Sequence, residues 1–120
     1  MANERLKLLR KIIDERIVLL DGATGTSIQD MRLGPEDFGG PKLEGCNENL
    51  VRTRPDRIRA LHRSFLEAGA DIIETNSFGA TSIALAHYGL EHDVREINRL
   101  AAQLAREEAD AASTSARPRF

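Results

Sequence analysis

Along the chain, stretches whose apolar residues recur every three or four positions alternate with short runs in which apolar residues are consecutive. Over residues 3–15, Leu6, Leu9 and Ile13 recur among charged neighbours, which predicts an amphipathic helix that covers another apolar surface. The aliphatic run at 16–21 shows no alternation, as expected of a parallel strand buried on both faces, and it ends in the turn DGATGT at 21–26. Residues 33–54 carry Gly34, Pro35, Gly39, Gly40, Pro41 and Gly45, a density of punctuation that predicts a long loop without regular elements. Thr53 is the expected cap of a helix with Pro55 in its first turn, with Ile58, Leu61, Phe65 and Leu66 on one face, and with Gly69 at its close. A second buried strand is predicted over 70–75. Helical spacing then returns over 82–88, stopped by Gly89, and over 91–112, where Val94, Ile97, Ala101, Leu104 and Ala105 form one stripe. Arg106, Glu107, Glu108 and Asp110 are expected on the solvated face of that last helix, and 117–120 read as the approach to a third strand.

Helix, strand, loop, helix, strand, helices and incipient strand is the rhythm of β/α units. The fold class is therefore α/β. Two to three units close neither an eightfold barrel, which needs about 250 residues, nor a doubly wound sheet.

Composition narrows the function classes. With 41% hydrophobic and 30% charged residues the chain has the balance of a soluble globular protein, not of a disordered segment. Its net charge of -2 is spread along the sequence without a basic stripe, so nucleic acid is not an expected partner. No apolar run approaches the length of a membrane span or a signal-peptide core, and the single cysteine, Cys46, has no partner for an internal disulfide. A cytoplasmic location without membrane attachment is expected.

In parallel β/α architectures chemistry sits at the carboxyl ends of the strands. Here those positions are Asp21 and Gly22, and then Glu74, Thr75 and Asn76. Asp and Asn also end strands simply because they satisfy turn backbone, so spacing alone leaves both readings open. The turn at 21–26 has neither the glycine spacing of a dinucleotide site nor the lysine of a phosphate loop. A carboxylate beside free N–H donors suits a zwitterion, with the ligand's ammonium toward Asp21 and its carboxylate toward the donors. An amino acid is the natural ligand class. Cys46 has no second sulfur or histidine at metal-ligand spacing, His62 lies close to an apolar stripe, and His87 and His92 flank a helix end, where a cation needs no catalytic role. Asn47 and Asn49 are either turn formers or minor site candidates.

Five segments together carry a resemblance. LDGATGT at 20–26, LEGCNENL at 43–50, PDRI at 55–58, AGADIIETNSF at 68–78 and YGLEH at 88–92 resemble, in order and in register, the homocysteine-binding domains of cobalamin-dependent methionine synthases. Ala23 stands where many members have a second glycine and Ser77 where many have threonine. The resemblance covers about residues 16–120, preceded by the helix of 1–15, and implies the first two to three β/α units of a (β/α)8 TIM-type barrel, incomplete in this chain. It further implies substrate-binding roles for Asp21, Gly22, Glu74, Thr75 and Asn76, with homocysteine as the partner. In the full-length family zinc activates the homocysteine thiol, and methylcobalamin, replenished from methyltetrahydrofolate on downstream folate- and cobalamin-binding domains, supplies the methyl group. The family's zinc cysteines do not correspond to any position here, so the chain is expected to contain no catalytic or metal-ligating residue, to bind neither cofactor alone, and to be inactive by itself. Uncovered strand edges predict poor solubility or self-association. The alternatives are a cobalamin-independent homocysteine methyltransferase or folate-reductase fusion, a non-catalytic binding fragment, and an unrelated β/α enzyme such as an aldolase.

Overall fold

Helical spacing winds residues 2–15 into α1 (Ala2–Glu15) in the computed structural model, which describes residues 2–120. Met1, the first residue of the leading segment 1–15, lies outside the described residues. The stripe of α1 is thinly covered: Ile12 is buried while Leu6 and Ile13 remain exposed. An ion pair from Arg5 to Asp110 fastens this helix to the last one.

The two apolar runs expected as strands are extended, but among the described residues they form no continuous ladder. They meet at one parallel bridge, Leu20 with Ile72. The Asp21 N–H donates to the Ile72 carbonyl at 3.0 Å, and the Ile72 N–H to the Leu19 carbonyl at 3.1 Å. At each neighbouring ladder position a carboxylate takes the place of the carbonyl that would continue the pairing. The Leu19 N–H donates to Asp71 Oδ2 at 2.9 Å, and the Glu74 N–H donates to Asp21 Oδ1 at 3.0 Å. The strands predicted over 16–21 and 70–75 are thus corrected to extended segments joined at one point. The pairing ends where acidic side chains intercept the amides.

On its other side the second segment meets the third. The Phe120 N–H donates to the Asp71 carbonyl and the Ile73 N–H to the Phe120 carbonyl, both at 2.8 Å, which is the alternation of a parallel pair. Asp71, only 1% exposed, also accepts both guanidinium ends of Arg16 at 2.9 Å each, with Arg117 Nε 3.8 Å away. Arg117 and Arg119 donate to the carbonyls of Gly69 and Ala70, binding the start of the second segment to the approach of the third.

The loop predicted over 33–54 is instead a string of short helical turns. After α2 (Thr24–Asp30) come α3 (Pro35–Phe38), 3-10 turns at Pro41–Leu43 and Asn47–Asn49, and α4 (Leu50–Thr53). Glycines end these pieces rather than forbid them: Gly39, at φ 106°, receives α3 in the left-handed conformation that other residues resist. Thr53 does not cap the next helix, because it belongs to α4 and donates its hydroxyl to the Asn49 carbonyl at 3.3 Å. Arg54 holds the cap position of α5 (Pro55–Ala68), which closes on Gly69 as expected, with the Ala70 N–H reaching back to the Phe65 carbonyl at 2.9 Å. Thr81 caps α6 (Ser82–Ala86) by accepting the Ala84 N–H at 3.2 Å. The last helix, α7, runs over Val94–Ala112 and starts later than the predicted 91, after a turn.

α5 packs on α7 and forms the core. Ile58 and Leu61 join Ile97, Ala101 and Leu104, with Phe38, Cys46, Leu50 and Val51 closing the cluster from the turns before α5. A second cluster joins Leu66, Ala70 and Ile73 to Ala105 and Ala109, and so seats the second extended segment against both helices. Each large side chain withdrawn from water contributes about 1.5–3 kcal/mol, and in this second cluster Leu66 and Ile73 are the large ones. Glu108, expected on the solvated face, is buried instead, because Arg63 contacts it at 3.1 Å and Arg59 at 3.5 Å from α5.

One residue in the first turn carries backbone strain. Ala23 has φ 49° and ψ 34°, a left-handed conformation in which a Cβ crowds the following carbonyl. Replacing Ala23 with glycine is expected to stabilise the fold by about 0.5–1 kcal/mol, less whatever the freer unfolded chain takes back. A thermal melt at or above wild type bears this out, and a clear decrease contradicts it.

Candidate functional site

The first extended segment delivers Asp21, a residue 9% exposed, to its carboxyl end. Oδ1 accepts the Glu74 N–H, and the buried Oδ2 has no hydrogen-bond partner among the described residues. Burial pushes the Asp21 carboxyl pKa up, the Glu74 N–H draws it partly down, and the neighbouring Glu74 carboxylate raises it. A half-satisfied buried carboxylate is costly to maintain without a cationic or donor partner. At Gly22 an added Cβ would meet nothing within 4 Å, and the backbone there is not left-handed. Neither packing nor conformation of the chain itself calls for glycine at 22. What its small size leaves open is approach to the backbone.

Beside these residues lies a cleft of about 300 Å³ whose polar lining includes Thr24, Asn47, Glu48, Glu74, Thr75 and Asn76. Asp21 and Gly22 adjoin the cleft at Ala23 and through the Glu74 amide, but are not among its lining residues. The sequence-predicted positions therefore fall into a lining group, 74–76, and an adjoining group, 21–22. Glu74 and Thr75 are exposed, and the Thr75 hydroxyl lies 2.6 Å from that of Ser77. Asn76 is 5% exposed and donates to the Asn47 carbonyl at 2.9 Å, so it anchors the wall. Glu48, which sequence reasoning missed, accepts the Gly79 N–H at 2.9 Å from the opposite rim. Its only sequence signal was membership in the segment at 43–50.

The remaining candidates separate cleanly. Asn49 is buried and donates to the Phe38 carbonyl at 2.8 Å, which makes it a strut of the turn region. Cys46 is fully enclosed in the main apolar cluster, and burial pushes its thiol pKa up, away from the reactive thiolate. His62 is 1% exposed, neither ring nitrogen has a partner among the described residues, and burial lowers its pKa, so it packs as a neutral ring in α5. His87 is the C-cap of α6, and His92 is exposed. Among the described residues no group of three His, Cys, Asp or Glu is placed to hold a metal ion, and no helix is long and apolar enough to cross a membrane. A wider hollow of about 510 Å³, between α7 and Ile73, Thr75 and Phe120, is mostly apolar and continues the helix-to-segment seam.

The family described as Homocysteine S-methyltransferase matches residues 18–120. The chain is 40% identical over 112 residues to a methionine synthase from Mycobacterium leprae (strain TN), covering 93% of this chain and 9% of that protein. The crystal structure of the homocysteine methyltransferase MmuM from Escherichia coli, in its oxidized form, superposes with a TM-score of 0.69 at 28% identity, covering 86% of this chain and 34% of that one. The chain therefore spans a small part of the relatives it matches. With the family match running from the first extended segment to the last residue, the chain belongs to the homocysteine S-methyltransferase family.

Proposed function

We propose that these residues supply the amino-acid-binding part of a homocysteine S-methyltransferase of the methionine synthase kind, and that their three extended segments begin a (β/α)8 barrel. The observation that carries the reading is Asp21: a buried carboxylate with one oxygen tied to the Glu74 amide and the other unpartnered, at the end of an extended segment and beside a polar cleft. An ammonium group is the partner that such an oxygen lacks. The uncrowded backbone at Gly22 and the polar wall at 74–76 suit the rest of an amino acid.

In this reading Asp21 binds and orients the ammonium of homocysteine, and Glu74, Thr75 and Asn76 fix the walls against which the side chain extends. The chain itself performs no methyl transfer. Zinc, which the resemblance implies for full-length members, finds no fitting ligand set here: Cys46 is enclosed, and no metal-binding cluster occurs among the described residues. In this reading zinc and cobalamin, like the folate- and cobalamin-binding domains, belong to other parts of the full-length protein.

The test is methionine formation from L-homocysteine by the full-length gene product. Activity that requires methylcobalamin and 5-methyltetrahydrofolate is expected. Activity without cobalamin selects the cobalamin-independent alternative, and no methionine under either condition rejects the proposal. The 120-residue chain alone is expected to be inactive in both assays.

A further inference from the structure

We infer that Glu48 is a positioning residue of the cleft, holding the 74–79 wall at the separation from the 47–49 turn that amino-acid binding uses. The inference rests on the amino-acid-binding reading above. Two side-chain to backbone hydrogen bonds join these walls, one side chain coming from each, with both donors on the 74–79 wall. Asn76 donates to the Asn47 carbonyl at 2.9 Å, and one residue further along, Glu48 Oε1 accepts the Gly79 N–H at 2.9 Å. Together they close a ring across the cleft that both walls line. Asn98 of α7 holds the residue that follows this wall by donating to the Ala80 carbonyl at 2.8 Å.

Gly79 supplies the second observation. It does not have a left-handed backbone, so conformation does not call for glycine there. A Cβ at 79 would instead lie 2.8 Å from Glu48 Oε1 and 3.1 Å from its carboxyl carbon. The missing side chain is the space that the carboxylate occupies. Because the obstructed atoms are the far end of a flexible side chain, Gly79→Ala displaces the carboxylate without unfolding the chain. It breaks the clamp while leaving Glu48 in place.

Steady-state kinetics of the full-length protein with L-homocysteine as varied substrate test this. Glu48→Ala and Gly79→Ala are each expected to raise KM for homocysteine roughly tenfold, the size of one hydrogen bond to a charged group, with kcat little changed. Glu48→Gln is expected to stay near wild type, because its amide oxygen still accepts the Gly79 N–H. Thermal melts check that each variant is folded. If Glu48→Gln is as damaging as Glu48→Ala, the charge itself meets the substrate and the positioning role is overturned. Wild-type KM in both Glu48→Ala and Gly79→Ala overturns it as well. A wild-type protein that does not accept homocysteine overturns the underlying reading, a result distinct from any pattern among the variants.

Discussion

Asp71→Asn is expected to lower stability by about 2–4 kcal/mol and the melting temperature by roughly 8–16 °C. Asp71 is 1% exposed and serves three groups at once: both guanidinium ends of Arg16, the Leu19 N–H, and Arg117 at longer range. Asparagine keeps an acceptor for Leu19 but removes the charge, leaving Arg16 and Arg117 without their counter-ion where the first and third segments approach the second. The same contacts hold the Asp71 pKa down at about 2, with the Arg16 hydrogen bonds the largest cause. Because the folded value lies below the unfolded one near 3.9, the carboxylate contributes its full stability above about pH 4 and loses it as pH falls through about 2. The shift corresponds to about 2–3 kcal/mol, within the mutational range. Melting curves for wild type and variant across that acid range settle the point. A variant that melts with wild type at neutral pH would mean that the Asp71 hub is not structural.

Asp21→Asn has the opposite signature. It is expected to weaken homocysteine binding in the full-length protein by about 1–3 kcal/mol, the value of a charge-assisted contact, while leaving the melting temperature unchanged or slightly higher. Asparagine can still accept the Glu74 N–H, so the join between the segments survives. What disappears is a buried negative charge without a partner, which folding disfavours, since its pKa is raised in the folded state. Above both pKa values the ionised carboxylate therefore costs stability, and the fold gains as pH falls through the raised value. Affinity runs the other way, because a protonated Asp21 no longer attracts ammonium. Calorimetric titration with homocysteine at several pH values separates the two effects. Unchanged affinity in Asp21→Asn would remove Asp21 from the site.

Much of the architecture is legible from periodicity. The stripes of Ile58, Leu61 and Leu66 and of Ile97, Ala101 and Leu104 find each other because each helix writes its buried face at local spacing. The Gly69 stop is equally local. What escapes a reading of the sequence is decided by contacts between distant residues. The apolar runs at 16–21 and 70–75 announce extended chain, but nothing local shows that Asp71 and Asp21 will intercept the amides of Leu19 and Glu74 and hold the pairing to one bridge. Glu108 reads as a surface charge until Arg59 and Arg63 of α5 arrive beside it. Glu48 is invisible as a site residue because its significance lies in the empty volume at Gly79, 31 residues away. The strand-end rule does lead to 21–22 and 74–76, but it does not separate the residues that line the cleft from those that adjoin it.

The two aspartates that flank the Leu20–Ile72 bridge are shifted in opposite senses, Asp21 upward and Asp71 downward. On progressive acidification the protons therefore arrive in a fixed order, first where ligand is expected and last where the segments are tied together. In the proposed reading, acidification is therefore expected to weaken ammonium binding at Asp21 before it loosens the Asp71 tie between the segments. Mild acid should elute bound ligand reversibly, and the protein should regain its affinity on neutralisation without having to refold.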